Sequence, residues 1–231
     1  MTSTARPIYL FADSQLLFWK QNGALFMKSI VALLPSHGHL EAAYVGASNG
    51  DNPAFYQIFE SAMHNIGIRQ CQMILSSFST AEKARLEKSD VILLAGGDTR
   101  TGWRVFQEAG FGELLARKYH AGSVLLGVSA GAIQLGLTGW TTDTPSRADL
   151  FDTFQLVPFV VGAHEEQMDW RMLKSVVSMK DEGTRGLGLP SGGGMIFHPN
   201  KIVEAVRHPL HEFVNTSGRL SHRLVLPSNF E

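Results

Sequence analysis

Short apolar runs of strand length recur through the N-terminal half of the chain, and this recurrence limits the possible folds more than any other feature. The runs span residues 8–12, 42–47, 68–75, 91–95 and 123–128. Several are apolar at almost every position, which is typical of strands buried on both faces of a sheet. Segments with helical periodicity separate the runs, so the sequence predicts a parallel sheet with helices on both faces.

Local signals predict where two of the helices begin. Pro53 precedes apolar residues at helical spacing between positions 55 and 66, and proline suits the first position of a helix. Ser79 and Glu82 have the spacing of a capping box, in which each side chain bonds a free backbone N–H near the other residue. This spacing predicts a helix over residues 80–88.

The pattern is less regular in the C-terminal part of the chain. A polar loop is expected at 141–152 and a helix at 165–180, followed by short β-rich segments that we expect to extend the same sheet. Residues 191–194, Ser-Gly-Gly-Gly, predict a turn. The sequence therefore indicates one domain over residues 1–231, a three-layer α/β/α fold with a mostly parallel central sheet.

Composition and charge exclude several classes of protein. The chain has 20 Lys and Arg against 21 Asp and Glu, a balance that gives no electrostatic footprint for nucleic acid or an anionic membrane. Cys71 is the only cysteine, so no intramolecular disulfide can form. The apolar run at 8–12 is too short for a secretory signal. The uncharged run at 121–142 contains five glycines and suits a buried strand and helix better than a membrane span. We expect a cytoplasmic protein.

The most informative string, Gly-Val-Ser-Ala-Gly-Ala at 127–132, lies where a buried strand should end and a helix begin. It matches the nucleophile elbow G-x-S-x-G, with Ser129 as the candidate nucleophile. A hydroxyl raised on a sharp turn needs small neighbours, which Gly127, Ala130 and Gly131 supply. The helix start also offers free N–H groups to a developing oxyanion. The alternative is a glycine-rich turn that carries a bystander serine.

A serine nucleophile needs a base, and His164 is the leading candidate. It ends an apolar stretch and precedes a predicted helix, so it should lie at a strand end, where active sites of open α/β sheets gather.

The acid that would orient this imidazole is less well defined. Asp143 is the leading candidate, and spacing alone does not exclude four others. These are Asp149, Asp152, Glu165 and Glu166.

A second glycine cluster, Gly96-Gly97-Asp98-Thr99, follows the predicted strand at 91–95. Its backbone N–H groups should emerge at the same edge of the sheet and could supply a second oxyanion donor. A tight strand-to-helix turn explains the same residues equally well. Gly97 and Gly102 have the spacing of the glycines in a P-loop, but Lys and Ser or Thr do not follow Gly102. This argues against a phosphate-binding site.

Taken together, these strings resemble the serine peptidases of the dipeptidase E and cyanophycinase family, whose fold resembles that of class I glutamine amidotransferases. Residues 95–99 resemble the family's Gly-Gly-Asn/Asp segment, and residues 127–132 resemble its Gly-x-Ser-Ala-Gly-Ala elbow. Residues 141–145, with Phe-Asp at 151–152 and then His164, follow the order of dipeptidase E. The resemblance implies Ser129 as nucleophile, His164 as general base, Asp143 as the orienting acid, and Gly97 and Ala130 as oxyanion donors.

The resemblance does not extend to substrate specificity. The segment after His164 lacks a counterpart of the arginine that recognises aspartate in dipeptidase E, and Ser191 follows Pro190 where the family has Glu. Candidate substrate-binding residues are instead found near the glycine cluster. They are Asp98, Arg100, Trp103 and Arg104. Arginine and tryptophan there suit carboxylate recognition or stacking, although the two arginines, four residues apart, also suit a solvated helix face.

The sequence therefore predicts a serine peptidase that requires neither metal nor cofactor and hydrolyses a small peptide or isopeptide, as a monomer or homodimer without nucleic-acid or membrane partners. A non-catalytic peptide-binding module on the same fold is the alternative from another class. An α/β-hydrolase esterase shares the elbow, but its acid and histidine normally come much later in the chain. An ammonia-generating amidotransferase would normally carry cysteine at the elbow.

Overall fold

A computed structural model describes residues 5–35, 39–141, 146–217 and 219–228. The helices of this part of the chain are α1 (Lys28–Val31), α2 (Pro53–Asn65), α3 (Thr80–Lys88), α4 (Thr99–Ala109), α5 (Phe111–His120), α6 (Ala130–Leu135) and α7 (Arg171–Met179). The first strands are β1 (Ile8–Phe11), β2 (Lys20–Gln21), β3 (Ala24–Leu25), β4 (Glu41–Val45), β5 (Gln70–Ile74), β6 (Val91–Leu94) and β7 (Val124–Val128). The later strands are β8 (Thr138–Trp140), β9 (Leu150–Asp152), β10 (Val160–Ala163), β11 (Arg185–Leu189), β12 (Gly194–Phe197), β13 (Val203–Val206), β14 (Leu210–Thr216) and β15 (Arg219–Val225).

A seven-stranded sheet in the order β13-β12-β1-β7-β6-β4-β5 forms the centre of the fold. Strands β1, β7, β6, β4 and β5 are parallel, and β12 and β13 add antiparallel pairs at one edge. Four of the five predicted apolar runs contain one of the parallel strands, and the run at 42–47 contains all of β4 except its first residue, Glu41. The carboxyl ends of β1, β6 and β7 meet at one edge, where loops and helix starts converge.

Both faces of the central sheet are buried, as the continuous apolar runs predict. Along β6, Ile92 and Leu94 face one core cluster and Val91 and Leu93 face the other. Helices α3 to α6 cover the first face, and α1 and α2 cover the second. The predicted three-layer fold with a mostly parallel sheet is confirmed. None of the described helices is both long and apolar enough to cross a membrane.

The expectation that all C-terminal strands extend this sheet is wrong in part. Strands β12 and β13 do extend it, but β11, β14 and β15 join β10 in a separate four-stranded sheet. Glycines on β10 and β11 let α7 pack closely on this second sheet. A Cβ at Gly186 would lie 2.4 Å from the Val177 side chain. The expected polar loop at 141–152 also ends in the short strand β9, which pairs with β8.

The helix expected at 165–180 is interrupted near its start. Asp169 and Trp170 adopt φ values of 49° and 55°, so the regular helix α7 begins only at Arg171. The Trp170 ring is fully buried against Gly188, where a Cβ would lie 2.5 Å from it. The Glu165 carboxylate accepts a hydrogen bond from Leu173 N at 3.2 Å and so satisfies a free N–H of the first turn of α7.

The capping box at the start of α3 is confirmed, and its acid is buried more deeply than the sequence indicates. Glu82 accepts hydrogen bonds from the Ser77 and Ser79 hydroxyls and from the Leu75 and Ser79 backbone N–H groups. Burial alone would raise the pKa of Glu82, but these hydrogen bonds outweigh it and hold the pKa below its ordinary value. The ionised carboxylate therefore stabilises the folded state.

We expect Glu82→Gln to lower the free energy of unfolding at neutral pH by about 1–3 kcal/mol, because buried donors lose an ionised acceptor. The ionised Glu82 carboxylate contributes to stability above the pKa of a glutamate in the unfolded chain, about 4.3. This contribution is lost as pH falls through the lower pKa that Glu82 has in the folded state. Urea unfolding at several pH values measures it. Glu87→Gln on the same helix removes only an exposed ion pair with Arg117 and should cost about 1 kcal/mol or less. Equal losses in the two variants would contradict this account.

Candidate active site

Ser129 stands on a sharp turn between β7 and α6. Its φ and ψ are 49° and −109°, a conformation that non-glycine residues rarely adopt. Its N–H donates to Phe11 O at 2.9 Å, which ties the turn to the carboxyl end of β1. A strained residue held by the surrounding structure is a frequent feature of functional sites, and this geometry is that of the nucleophile elbow expected from the sequence.

The glycines of the elbow are required by close backbone approaches. A Cβ at Gly131 would lie 2.1 Å from Leu94 O at the end of β6. A Cβ at Gly127 would lie 2.6 Å from Gly131 O. No side chain fits either gap, so only this composition lets α6 start directly against the sheet edge.

His164 follows β10 in the second sheet. Its N–H donates to Leu189 O at 2.9 Å, and its φ of 47° turns the chain away from the strand. The side chain is exposed at the sheet edge. The apolar stretch before His164 indicated this position at a strand end, but not the sheet to which the strand belongs.

The structure brings Ser129 and His164 together. Ser129 Oγ lies 2.8 Å from His164 Nε2, within the distance at which a base takes a hydroxyl proton. When Nε2 accepts this hydrogen bond, the ring proton sits on Nδ1, where an acid could orient the ring. The pair can therefore activate a serine nucleophile.

Gly97 lines the same cavity as Ser129 and His164, and Ala130 follows Ser129 in the chain. Gly97 follows β6 with φ 139°, and its backbone packs so tightly that a Cβ would lie 2.0 Å from Ser48 O. Ala130 begins α6 directly after Ser129. The N–H groups of these two residues donate to no backbone acceptor among the described residues.

The candidate acids differ widely in their surroundings. Asp143 lies outside the described residues. Asp149 accepts hydrogen bonds from Ser146 and Thr141, and Asp152 pairs with Lys180 at 3.7 Å. Neither carboxylate is directed to His164 by any of these contacts.

Glu165 and Glu166 lie next to His164 in the chain but in different environments. Burial raises the pKa of Glu165, whose carboxylate is engaged with the first turn of α7. The Glu166 carboxylate accepts from Ser191 N at 3.2 Å through Oε1, while its buried Oε2 has no hydrogen-bond partner among the described residues. Burial works against ionisation of Glu166, but hydrogen bonds from Ser191 and the positive charge of His164 lower its pKa.

The four predicted substrate-binding residues lie on or beside α4, and none lines the cavity next to Ser129. Asp98 caps the helix, with Oδ1 accepting from Thr101 N at 2.6 Å. Trp103 is buried against the Phe154 ring, with centroids 4.9 Å apart. Arg100 and Arg104 are exposed, and the Arg100 guanidinium lies 5.1 Å from the Phe151 ring centroid.

A cavity beside Ser129 has an apolar wall whose residues the sequence did not single out as functional. It encloses about 300 Å³, and Ser129, His164, Gly96 and Gly97 line it. Its apolar wall includes Leu17, Tyr44, Phe55, Ile58, Phe59 and Leu93. The only available signal was that Phe55 and Ile58 belong to the apolar pattern of α2, which predicts core packing rather than a cavity wall.

Asp13, at the end of β1, also lines this cavity. Its carboxylate accepts from Gln15 N at 2.8 Å and from Gly192 N at 2.7 Å. The second bond reaches the turn between β11 and β12, the same turn that Glu166 contacts through Ser191. The rim of the cavity is therefore tied to the segment that follows β11.

A serine on an elbow, bonded to a histidine at the carboxyl edge of a mostly parallel sheet, is the arrangement of α/β serine hydrolases. Comparison with known families makes this class more specific. The model of peptidase family S51 matches residues 25–204. The chain therefore belongs to peptidase family S51 and is a serine-type peptidase, and the resemblance to the dipeptidase E family is confirmed.

Solved structures show the same fold. A peptidase from an acI-B1 Actinobacterium superposes with a TM-score of 0.73 at 12% identity, covering 97% of this chain and 96% of that chain. A putative peptidase E protein from Listeria monocytogenes EGD-e gives a TM-score of 0.62 at 16% identity, covering 88% and 98%. No curated protein sequence matched the chain.

The two adjacent glycines after β6 should differ sharply in their tolerance of a side chain. Gly97→Ala forces a Cβ to 2.0 Å from Ser48 O in a strained conformation and should lower the free energy of unfolding by about 2 kcal/mol or more. Gly96→Ala is the matched control. Its nearest contacts are at 3.4 Å, so the expected loss is about 1 kcal/mol or less. Urea unfolding compares the two variants, and similar losses would show that the tight packing at Gly97 is not required.

Proposed function

We propose that this peptidase hydrolyses a small peptide or isopeptide through an acyl-enzyme formed on Ser129. The observation that carries the proposal is the 2.8 Å contact between Ser129 Oγ and His164 Nε2 at a cavity of substrate size. Family membership supports peptide-bond hydrolysis. The strained backbone of both residues supports a reactive role for the pair.

In the first half of the reaction, His164 Nε2 takes the proton of Ser129 as Oγ attacks the scissile carbonyl. The negative charge on the carbonyl oxygen is stabilised by the N–H groups of Gly97 and Ala130. The imidazolium then gives its proton to the departing amine as the C–N bond breaks. In the second half, His164 takes a proton from water, hydroxide adds to the ester carbonyl, and the proton returns to Ser129 as the acid product leaves.

Ser129→Ala and His164→Ala should each lower kcat/KM by about 10³-fold or more, because the nucleophile or its base is lost. Ser129→Ala should also abolish covalent labelling by a fluorophosphonate probe, detected by intact-protein mass spectrometry. Ser178→Ala, an exposed position on α7, is the matched control and should be labelled like the unaltered protein. Full labelling of Ser129→Ala would reject the mechanism. Saturable peptide binding without turnover by the unaltered protein would favour a binding module.

Two carboxylates are candidates to orient His164. The family resemblance implies Asp143, and we keep it as a proposal. Glu166 is the second candidate because its buried Oε2 lacks a partner among the described residues and its carboxylate interacts electrostatically with His164. Ser191 follows Pro190 where the family has glutamate, and Glu166 accepts a hydrogen bond from Ser191 N. A carboxylate that supports the imidazolium would act mainly in the transition state.

Replacing the orienting acid should lower kcat by about 10²- to 10⁴-fold with little change in KM. The test compares the kcat of Asp143→Asn with that of Glu166→Gln under identical conditions. Asp152→Asn is the control, since the Asp152 carboxylate already pairs with Lys180. Glu166→Asp distinguishes positioning from folding, since the shorter acid should restore part of kcat. A large loss of kcat in Asp143→Asn alone assigns the role to Asp143 and rejects Glu166.

A further inference from the structure

The cavity beside Ser129 is lined mainly by apolar side chains on the face of the central sheet that α2 covers. Leu17 follows β1, Tyr44 and Leu93 belong to β4 and β6, and Phe55 and Ile58 belong to α2. Its volume, about 300 Å³, is at the lower end of the range for small-molecule sites. The space therefore suits one large side chain rather than a long peptide.

Two of these wall residues are exposed although they are large and apolar. Phe55 is 50% exposed and Ile58 is 37% exposed, while Phe59, on the same helix, is buried. Burying apolar surface is favourable in proportion to the area removed from water. An apolar ligand group entering the cavity would cover these two side chains, which the fold itself leaves in contact with solvent.

Charge in the cavity disfavours an acidic occupant. No lysine or arginine is among the described residues that line it, and Asp13 contributes a carboxylate. Asn49 also lines the cavity, but its amide nitrogen is committed to the Tyr44 hydroxyl at 2.8 Å and to Gly96 O at 3.0 Å. A substrate carboxylate would thus lose its hydration without gaining a lysine or arginine partner.

We propose that the cavity binds a large aliphatic or aromatic side chain of the substrate residue that supplies the scissile carbonyl. The cavity is lined by both Ser129 and Gly97, the groups assigned to attack and oxyanion stabilisation, so the side chain nearest the attacked carbon faces it. This inference rests on the proposed function of Ser129. It gives the enzyme an apolar specificity in place of the aspartyl specificity of dipeptidase E.

The test measures binding of dipeptides to the Ser129→Ala protein by calorimetry, which needs no turnover. Phe-Ala and Leu-Ala should bind at least about 10-fold more tightly than Ala-Ala, because their side chains bury more carbon atoms. They should also bind at least about 10-fold more tightly than Asp-Ala. The reversed dipeptides Ala-Phe and Ala-Leu should show no such preference. Equal binding of Phe-Ala and Asp-Ala, or a preference found only in the reversed series, would overturn the proposal.

Ile58→Arg places a cation at the exposed wall of the cavity. In the Ser129→Ala protein this substitution should weaken Phe-Ala binding by about 10-fold. It should also reduce or reverse the difference in affinity between Phe-Ala and Asp-Ala. Ile202→Arg is the matched control, since Ile202 is 57% exposed and does not line the cavity. Phe55→Ala is a second variant for the case in which Ile58→Arg does not fold. It should weaken Phe-Ala binding several-fold. Unchanged binding in both cavity variants would overturn the proposal.

Fluorophosphonate labelling of the unaltered protein separates this inference from the proposed function. Labelling of Ser129 without a preference for apolar residues would reject the specificity and leave the mechanism standing. Apolar preference in binding without labelling of Ser129 would reject the mechanism and leave the cavity assignment standing. With both results positive, the order of kcat/KM values across the same dipeptides should follow the order of binding.

Discussion

Helix α6 begins against the carboxyl end of β6 with no room for a side chain between them, and the proposed chemistry depends on this contact. Gly131 meets Leu94 O so closely that a methyl group would overlap it. Because the helix starts there, the preceding residue, Ser129, is forced into its strained turn and its hydroxyl points out of the sheet edge. A looser packing of α6 would relax the turn and withdraw the hydroxyl.

His164 reaches Ser129 from a different sheet, so the reactive pair depends on how the two sheets are joined. The chain crosses between them just after α6, where Leu137 N donates to Phe159 O at 2.8 Å. Gly136 allows this crossing, since a Cβ there would lie 2.8 Å from Phe159 O. Backbone contacts directly after the short helix that follows Ser129 thus position the segment that leads into β10 and His164.

The sequence predicted the parallel strands of the central sheet, and it placed Ser129 and His164 at strand ends, where Oγ and Nε2 lie 2.8 Å apart in the structure. Continuous apolar runs have few alternatives to buried parallel strands, and the elbow glycines have a local steric cause. The second sheet was missed because the sheet that β11, β14 and β15 join depends on tertiary packing against α7, which no local pattern encodes. The interruption before α7 was missed for a related reason, since burial of Trp170 overrides the helical periodicity around it. The cavity wall was hidden because Phe55 and Ile58 continue the same apolar pattern as the core residue Phe59.

Two carboxylates hold the turn between β11 and β12 from different sides, Asp13 through Gly192 N and Glu166 through Ser191 N. The turn is rich in glycine, a composition usually associated with segments where a chain accepts added residues. Here the Ser191 and Gly192 amides bond to Glu166 and Asp13, and Asp13 lines the cavity beside Ser129. Lengthening the turn would move Ser191 and Gly192 away from Glu166 and Asp13. The segment is therefore a poor site for a fused tag or a circular permutation, although its glycine content suggests that it would accept one.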